Sequence, residues 1–216
     1  MGALTQHGAV VAFPQGSMPI GPGFEWDLES ESQFLPATAE NLGERFPGVL
    51  PRVCVTGMSG GARMSSRFGA SHPARVMLVG AVAGLRAPSP RKAGTAGARG
   101  GVSRIRRPDR SLRGGPTARW IESVLDAAKA WAGANGHSTK PESEEITRSL
   151  TRLDFGAQEE PGAVTLWVSK GAGHTWPGSR LPLPLRLFLG RTSNEIDATA
   201  EVWRAAAALV EPESAP

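Results

Sequence analysis

Gly57-Met58-Ser59-Gly60-Gly61 is the stretch of this 216-residue chain whose residue types and spacing could do covalent chemistry. A serine with glycine two places before and two after fits a sharp turn from a strand into a helix, its hydroxyl raised above a sheet. So placed, Ser59 could attack an acyl carbon. Side chains at Gly57 and Gly61 are expected to clash with the crossing backbone. The N–H of Gly60 is expected to donate to the oxyanion, and the helix N-terminus favours the negative charge that develops there. The plainer alternative is an ordinary glycine turn. A serine hydroxyl is barely ionised near neutral pH and needs a base. His174 sits in Gly171-Ala172-Gly173-His174-Thr175-Trp176-Pro177-Gly178, after the last predicted strand and before the last predicted helix, where a serine nucleophile's base belongs in chain order. Of the other histidines, His72 before Pro73 reads as a helix C-terminal charge or cap. His137 after Asn135-Gly136 and His7-Gly8 read as turn residues.

The elements that must position these groups follow from hydrophobic patterning. Val53-Cys54-Val55 predicts a fully buried strand, in which Cys54 is structural. Residues 62–71 predict a helix with Met64 and Phe68 on one face and Arg63 and Arg67 on another, and 76–83 a second buried strand. Strand, helix and strand in that order imply a parallel sheet and an α/β fold, read as one domain over 1–216. Further on, 120–134 predicts a helix, 163–168 a strand and 198–210 a closing helix with Val202, Ala206 and Leu209 on one side. Near the start, 10–13 predicts a buried strand, 16–27 a loop containing Trp26, and 41–46 a helix with Leu42 and Phe46 one turn apart.

Composition narrows the function classes. The net charge is +4 and the pI about 10.0, yet the charge is not spread. Ten basic residues and only Asp109 among the acids lie between Arg86 and Arg119, a local +9, and the rest of the chain carries −5. That distribution, with no aromatic residue in the segment for base stacking, argues against a nucleic-acid partner. A single cysteine excludes an intrachain disulfide and a multi-cysteine zinc site, and four scattered histidines offer no ligand pair; neither metal nor cofactor is expected. No apolar run reaches the roughly 18 residues of a membrane span, so no membrane partner is expected, and the first residues lack an export pattern. Residues 87–117 lose periodicity altogether. That segment is expected to be poorly ordered and to leave a gap in the sheet.

At Val53 through Ala62 and Gly173 through Gly178 the sequence resembles the polyhydroxybutyrate-depolymerase-type esterases, α/β-hydrolases related to feruloyl and acetylxylan esterases. Val11 to Gly16, Val79 to Gly84, Asp197-Ala198-Thr199 and Trp203 share the likeness, which spans most of 8–86 and 117–210. It implies a Ser–His–Asp mechanism in which Ser59 attacks an ester of polyhydroxyalkanoate, polyester or feruloyl type, His174 moves the proton, and water releases the acyl-enzyme. It implies extracellular relatives and an α/β-hydrolase sheet, here with its first strands missing and one central strand replaced by the basic insert. An earlier His-Gly loop, implied as a second oxyanion donor, is expected to be lacking. The implied acid falls in a His-Gly-x-x-Asp stretch after the strand that follows residue 84. Asp109 is the carboxylate there, but Arg-Arg-Pro-Asp-Arg with no predicted strand before it reads more simply as an ion-paired loop. Codons for Val102 to Pro108, shifted by one nucleotide, permit Phe-His-Gly-Ser-Ala-Asp; a frame slip near 88–95, restored near 113–117, would explain the charge and the lost periodicity together. Trp26, Trp176 and residues 181–188 are candidates to line an apolar substrate surface. Two other readings stay open: a serine peptidase on the same scaffold, and a non-catalytic protein binding polyanions through Arg86–Arg119.

Overall fold

The computed structural model describes residues 8–21, 23–48, 52–88, 101–105 (as backbone), 123–158 and 160–210. An antiparallel hairpin, β1 (Met18–Ile20) and β2 (Gly23–Glu25), leads through a 3-10 turn at Ser30–Gln33 into helix α1 (Phe34–Arg45). Strand β3 (Val53–Met58), helix α2 (Gly60–Ser71) and strand β4 (Val76–Val82) come next. They are followed by β5 (Gly101–Ile105), α3 (Val124–Ala134), β6 (Glu142–Glu145), β7 (Leu150–Phe155), β8 (Val164–Ser169), α4 (Leu183–Leu189) and α5 (Ala198–Ala208). The main sheet runs β3-β4-β5-β8-β7-β6. Its first four strands are parallel, and the β8–β7 and β7–β6 pairings are antiparallel.

Burial on both faces explains why β4 has no polar side chain: every residue of Val76–Val82 is buried. Val79 and Ala81 join Met64 and Phe68 of α2 and Ala128 and Trp131 of α3 in one cluster. Met77 and Leu78 pack with Val202 and Ala206 of α5 in another. Gly80 permits that second contact, since a Cβ there would lie 2.8 Å from Val202 Cγ2. Each Val, Leu, Met or Phe side chain so taken out of water contributes about 1.5–3 kcal/mol. Helix α3 starts where a cap can form: Ser123 Oγ accepts from the Asp126 N–H at 3.0 Å.

The predicted βαβ unit, the strand near 163–168 and the closing helix are all present, with bounds moved by one to three residues. Three expectations are corrected. Residues 10–13 form no strand and Phe13 is 73% exposed; among the described residues the sheet ends at β3, and four apolar residues in a row specify an extended run but not a partner. Residues 16–27, expected as loop, hold the β1–β2 hairpin. The helix expected at 41–46 is present as part of α1, which begins earlier, at Phe34, and buries Leu35 and Pro36. Strand β3 is half-buried and Cys54 is exposed, because β3 is the outermost strand among the described residues.

The expected gap in the sheet is overturned as well. Within 87–117, residues 101–105 form β5, paired to β4 through Val79↔Gly101 and to β8 through Gly101↔Val164. A slot between two parallel strands is satisfied by backbone N–H and C=O groups, which every residue type here supplies, so lost periodicity does not forbid a strand. Residues 89–100 and 106–122 lie outside the described residues.

Candidate active site

The β3–β4 ladder ends with Met58↔Val82, and the next residue turns the chain. Ser59 donates its N–H to Val82 O at 2.9 Å, which holds the corner against the end of β4. Its backbone sits at φ 56° and ψ −112°, a region that side-chain-bearing residues avoid. Its carbonyl then accepts from the Arg63 N–H at 3.1 Å, closing the first turn of α2. The strand-to-helix corner predicted for residue 59 is therefore present.

Two glycines make room for it. A Cβ at Gly57 would lie 2.5 Å from the Gly61 carbonyl carbon. A Cβ at Gly61 itself would meet nothing within 4 Å. The expected clash is thus one-sided: position 57 requires glycine, and Gly61 contributes only the backbone it would strike. Gly84, whose role sequence reasoning missed, is the second. A Cβ there would lie 2.4 Å from Ser59 O and 2.9 Å from Ala62 Cβ. The available signal was its place directly after a buried strand neighbouring the serine strand.

Beside Gly60, Arg63 forms an ion pair with Glu25 of β2, both side chains largely shielded. A Cβ on Gly60 would lie 3.6 Å from Arg63 Nη2 and 3.9 Å from Glu25 Oε1, so the pair borders the N–H expected to serve as oxyanion donor. Paired, the two charges cancel there and the helix N-terminus keeps its positive end. Unpaired, Glu25 would oppose a developing oxyanion.

His174 is reached from β8. Four parallel strands end on one edge of the sheet, but β3 and β8 are three strands apart, about 14 Å at the usual spacing. The loop after β8 must therefore return across β4. Trp176 marks that return: it packs against the cluster of Val82, Ala83 and Ala198, as Met58 does, and its Nε1 donates to Thr199 Oγ1 at 3.0 Å. Thr199 stays in place because Asp197 caps α5, accepting from the N–H groups of Thr199 and Ala200. The other side of the loop is clamped by backbone. Gly173 N–H donates to Arg191 O and His174 N–H to Leu189 O, both at 2.5 Å. A Cβ at Gly173 would strike the Gly190 carbonyl carbon at 2.4 Å. His174 is half-buried.

The remaining sequence candidates fall as follows. Asp109 lies outside the described residues, though the expectation that no strand precedes it is corrected, since β5 ends four positions earlier. Trp26 is half-buried against the core and 6.3 Å from the Phe34 ring. His72 caps α2 through its N–H to Phe68 O and packs on the Phe68 ring. His137 donates from Nε2 to Pro161 O at 3.0 Å, with Gly156 and Gly162 against its ring. Cys54 is exposed as a residue, but desolvation pushes its thiol up to about 11, which leaves it a poor nucleophile. Among the described residues no group of three His, Cys, Asp or Glu side chains could hold a metal ion, and no helix is long and apolar enough to cross a membrane.

No family model and no curated protein matches the sequence. Among solved structures, an acetyl xylan esterase from Aspergillus awamori is similar, with a TM-score of 0.52 and 15% identity over 74% of this chain and 70% of that one. At that identity the likeness is one of fold: a mixed α/β architecture of the kind that esterase adopts.

Proposed function

We propose that this chain is a serine carboxylic-ester hydrolase of α/β-hydrolase type. The observation that carries the reading is the backbone of Ser59 at φ 56°, ψ −112°, at a corner where Gly57 and Gly84 leave no space for a Cβ. Such a conformation is held at a cost, and residues held so cluster at functional sites. In the proposed reaction Ser59 Oγ bonds to the ester carbonyl carbon as its proton passes to His174. The carbonyl oxygen, now negative, takes the Gly60 N–H. Collapse breaks the C–O bond, the alcohol leaves with the proton from His174, and water repeats the sequence on the acyl-enzyme. No acid is assigned to orient His174: Asp109 follows β5 in the chain, but in Arg-Arg-Pro-Asp-Arg it reads more simply as an ion-paired loop residue. Trp176, packed against the same Val82–Ala83–Ala198 cluster as Met58, is proposed to wall the acyl side of the site. The resemblance favours polyester or feruloyl-type esters, and the fold likeness extends the class to acetyl esters on carbohydrate.

Hydrolysis of p-nitrophenyl acetate tests the reading. The expected result is turnover that falls to the solution background in Ser59→Ala, together with a fluorophosphonate adduct located on Ser59 by mass spectrometry. Turnover unchanged in Ser59→Ala would defeat it.

A further inference from the structure

Neither the core nor the candidate site absorbs helix α4. A seven-residue helix is unstable alone and is ordinarily held by packing an apolar face. In α4 no residue is buried: Leu183, Leu185, Leu187 and Phe188 are 69%, 48%, 80% and 88% exposed. Its own ends close through Arg186 N–H to Pro182 O and Gly190 N–H to Arg186 O, and the backbone clamp at Leu189 and Arg191 ties it to the His174 loop.

The charges that flank it in the chain have one sign. No acidic residue occurs between Glu160 and Glu195. Arg180, Arg186 and Arg191 are exposed, and none pairs with a carboxylate among the described residues, whereas Arg63, Arg75, Arg152 and Arg204 each do. A second copy laid face to face would set these arginines against each other, and the basic segment 86–119 carries the same charge. The occupant that complements the patch is both apolar and anionic.

We propose that α4 docks on an anionic lipid surface. Leu183, Leu185, Leu187 and Phe188 enter the acyl boundary, and Arg180, Arg186 and Arg191 meet headgroup phosphates. The contact lies on the surface and needs no membrane span. Because Leu189 and Arg191 hold the backbone of Gly173 and His174, a docked α4 sets the His174 loop at the lipid boundary.

Sedimentation of the full chain with vesicles tests this, in a Ser59→Ala background so that the outcome is independent of ester cleavage. Vesicles of phosphatidylcholine alone are compared with equal parts phosphatidylcholine and phosphatidylglycerol. Binding to the anionic vesicles is expected, weakening with salt and by about fivefold for each arginine replaced by glutamine. Leu187→Glu with Phe188→Glu is expected to weaken it at least tenfold; those side chains are exposed, so an unchanged circular dichroism spectrum and melting point accompany the loss. Absence of binding, or equal binding to both vesicle types, would overturn the proposal. Binding that survives Leu187→Glu with Phe188→Glu would move it to the Arg86–Arg119 segment, and light scattering at twice the chain mass, reversed by that variant, would make the occupant a second copy.

Discussion

The serine corner and the histidine loop lie at one edge of the sheet but are built on different principles. Around Ser59, position is set by exclusion: Gly57 and Gly84 touch backbone where no Cβ fits, and buried β4 lies alongside. Around His174, position is set by long-range contacts, from Gly173 and His174 to 189–191 and from Trp176 to Thr199. A corner of the first kind can be recognised in a pentapeptide. A loop of the second kind depends on residues fifteen to twenty-five positions further on.

The largest expected effect concerns the partner that neither region contains. Coding DNA over residues 88–117 is expected to read His-Gly-x-x-Asp in a neighbouring frame, and the chain expressed in that frame to hydrolyse p-nitrophenyl acetate about 10⁴-fold faster, the usual worth of a triad acid. Sequencing that shows no such stretch removes the idea. Next, Gly84→Val drives a side chain into Ser59 O and Ala62. It is expected to cost about 3 kcal/mol in urea denaturation and to abolish fluorophosphonate labelling. Gly173→Ala displaces the histidine loop instead, lowering kcat about 10²-fold with a smaller loss of stability. If the two glycine variants lose stability equally, the contrast between the regions is broken. The smallest effect probes the charges beside Gly60: Arg63→Ala is expected to lower kcat about tenfold with KM little changed, and Glu25→Gln in the same chain to restore most of it. Steady-state kinetics on both variants decides whether Glu25 opposes the oxyanion or merely holds the hairpin.

What could be read from the sequence follows the same division. The β3–α2–β4 unit was legible because apolar runs, a glycine-serine turn and helical spacing all agree over some thirty consecutive residues. The hairpin at 18–25 was hidden by its glycines and prolines, and α4 by a Leu-Pro alternation without helical period. Strand β5 was masked by composition, since backbone pairing to β4 and β8 decided its state rather than side chains. Gly84 could be placed only once β4 was known to lie beside β3, and the Glu25–Arg63 pair joins positions thirty-eight apart that no local pattern links.

Ser59 is not the only residue bent against its preference. Ala83, one place beyond the Val82 carbonyl that holds Ser59, has φ 53°, and neither residue is glycine. Each stores on the order of 1–3 kcal/mol of strain, against about 5–15 kcal/mol for a whole domain. The two tensions meet in one knot, kept wound by the packing behind it. As denaturant or heat slackens that packing, the knot is expected to spring first, so that fluorophosphonate labelling of Ser59 is lost at lower urea than the circular dichroism of the sheet.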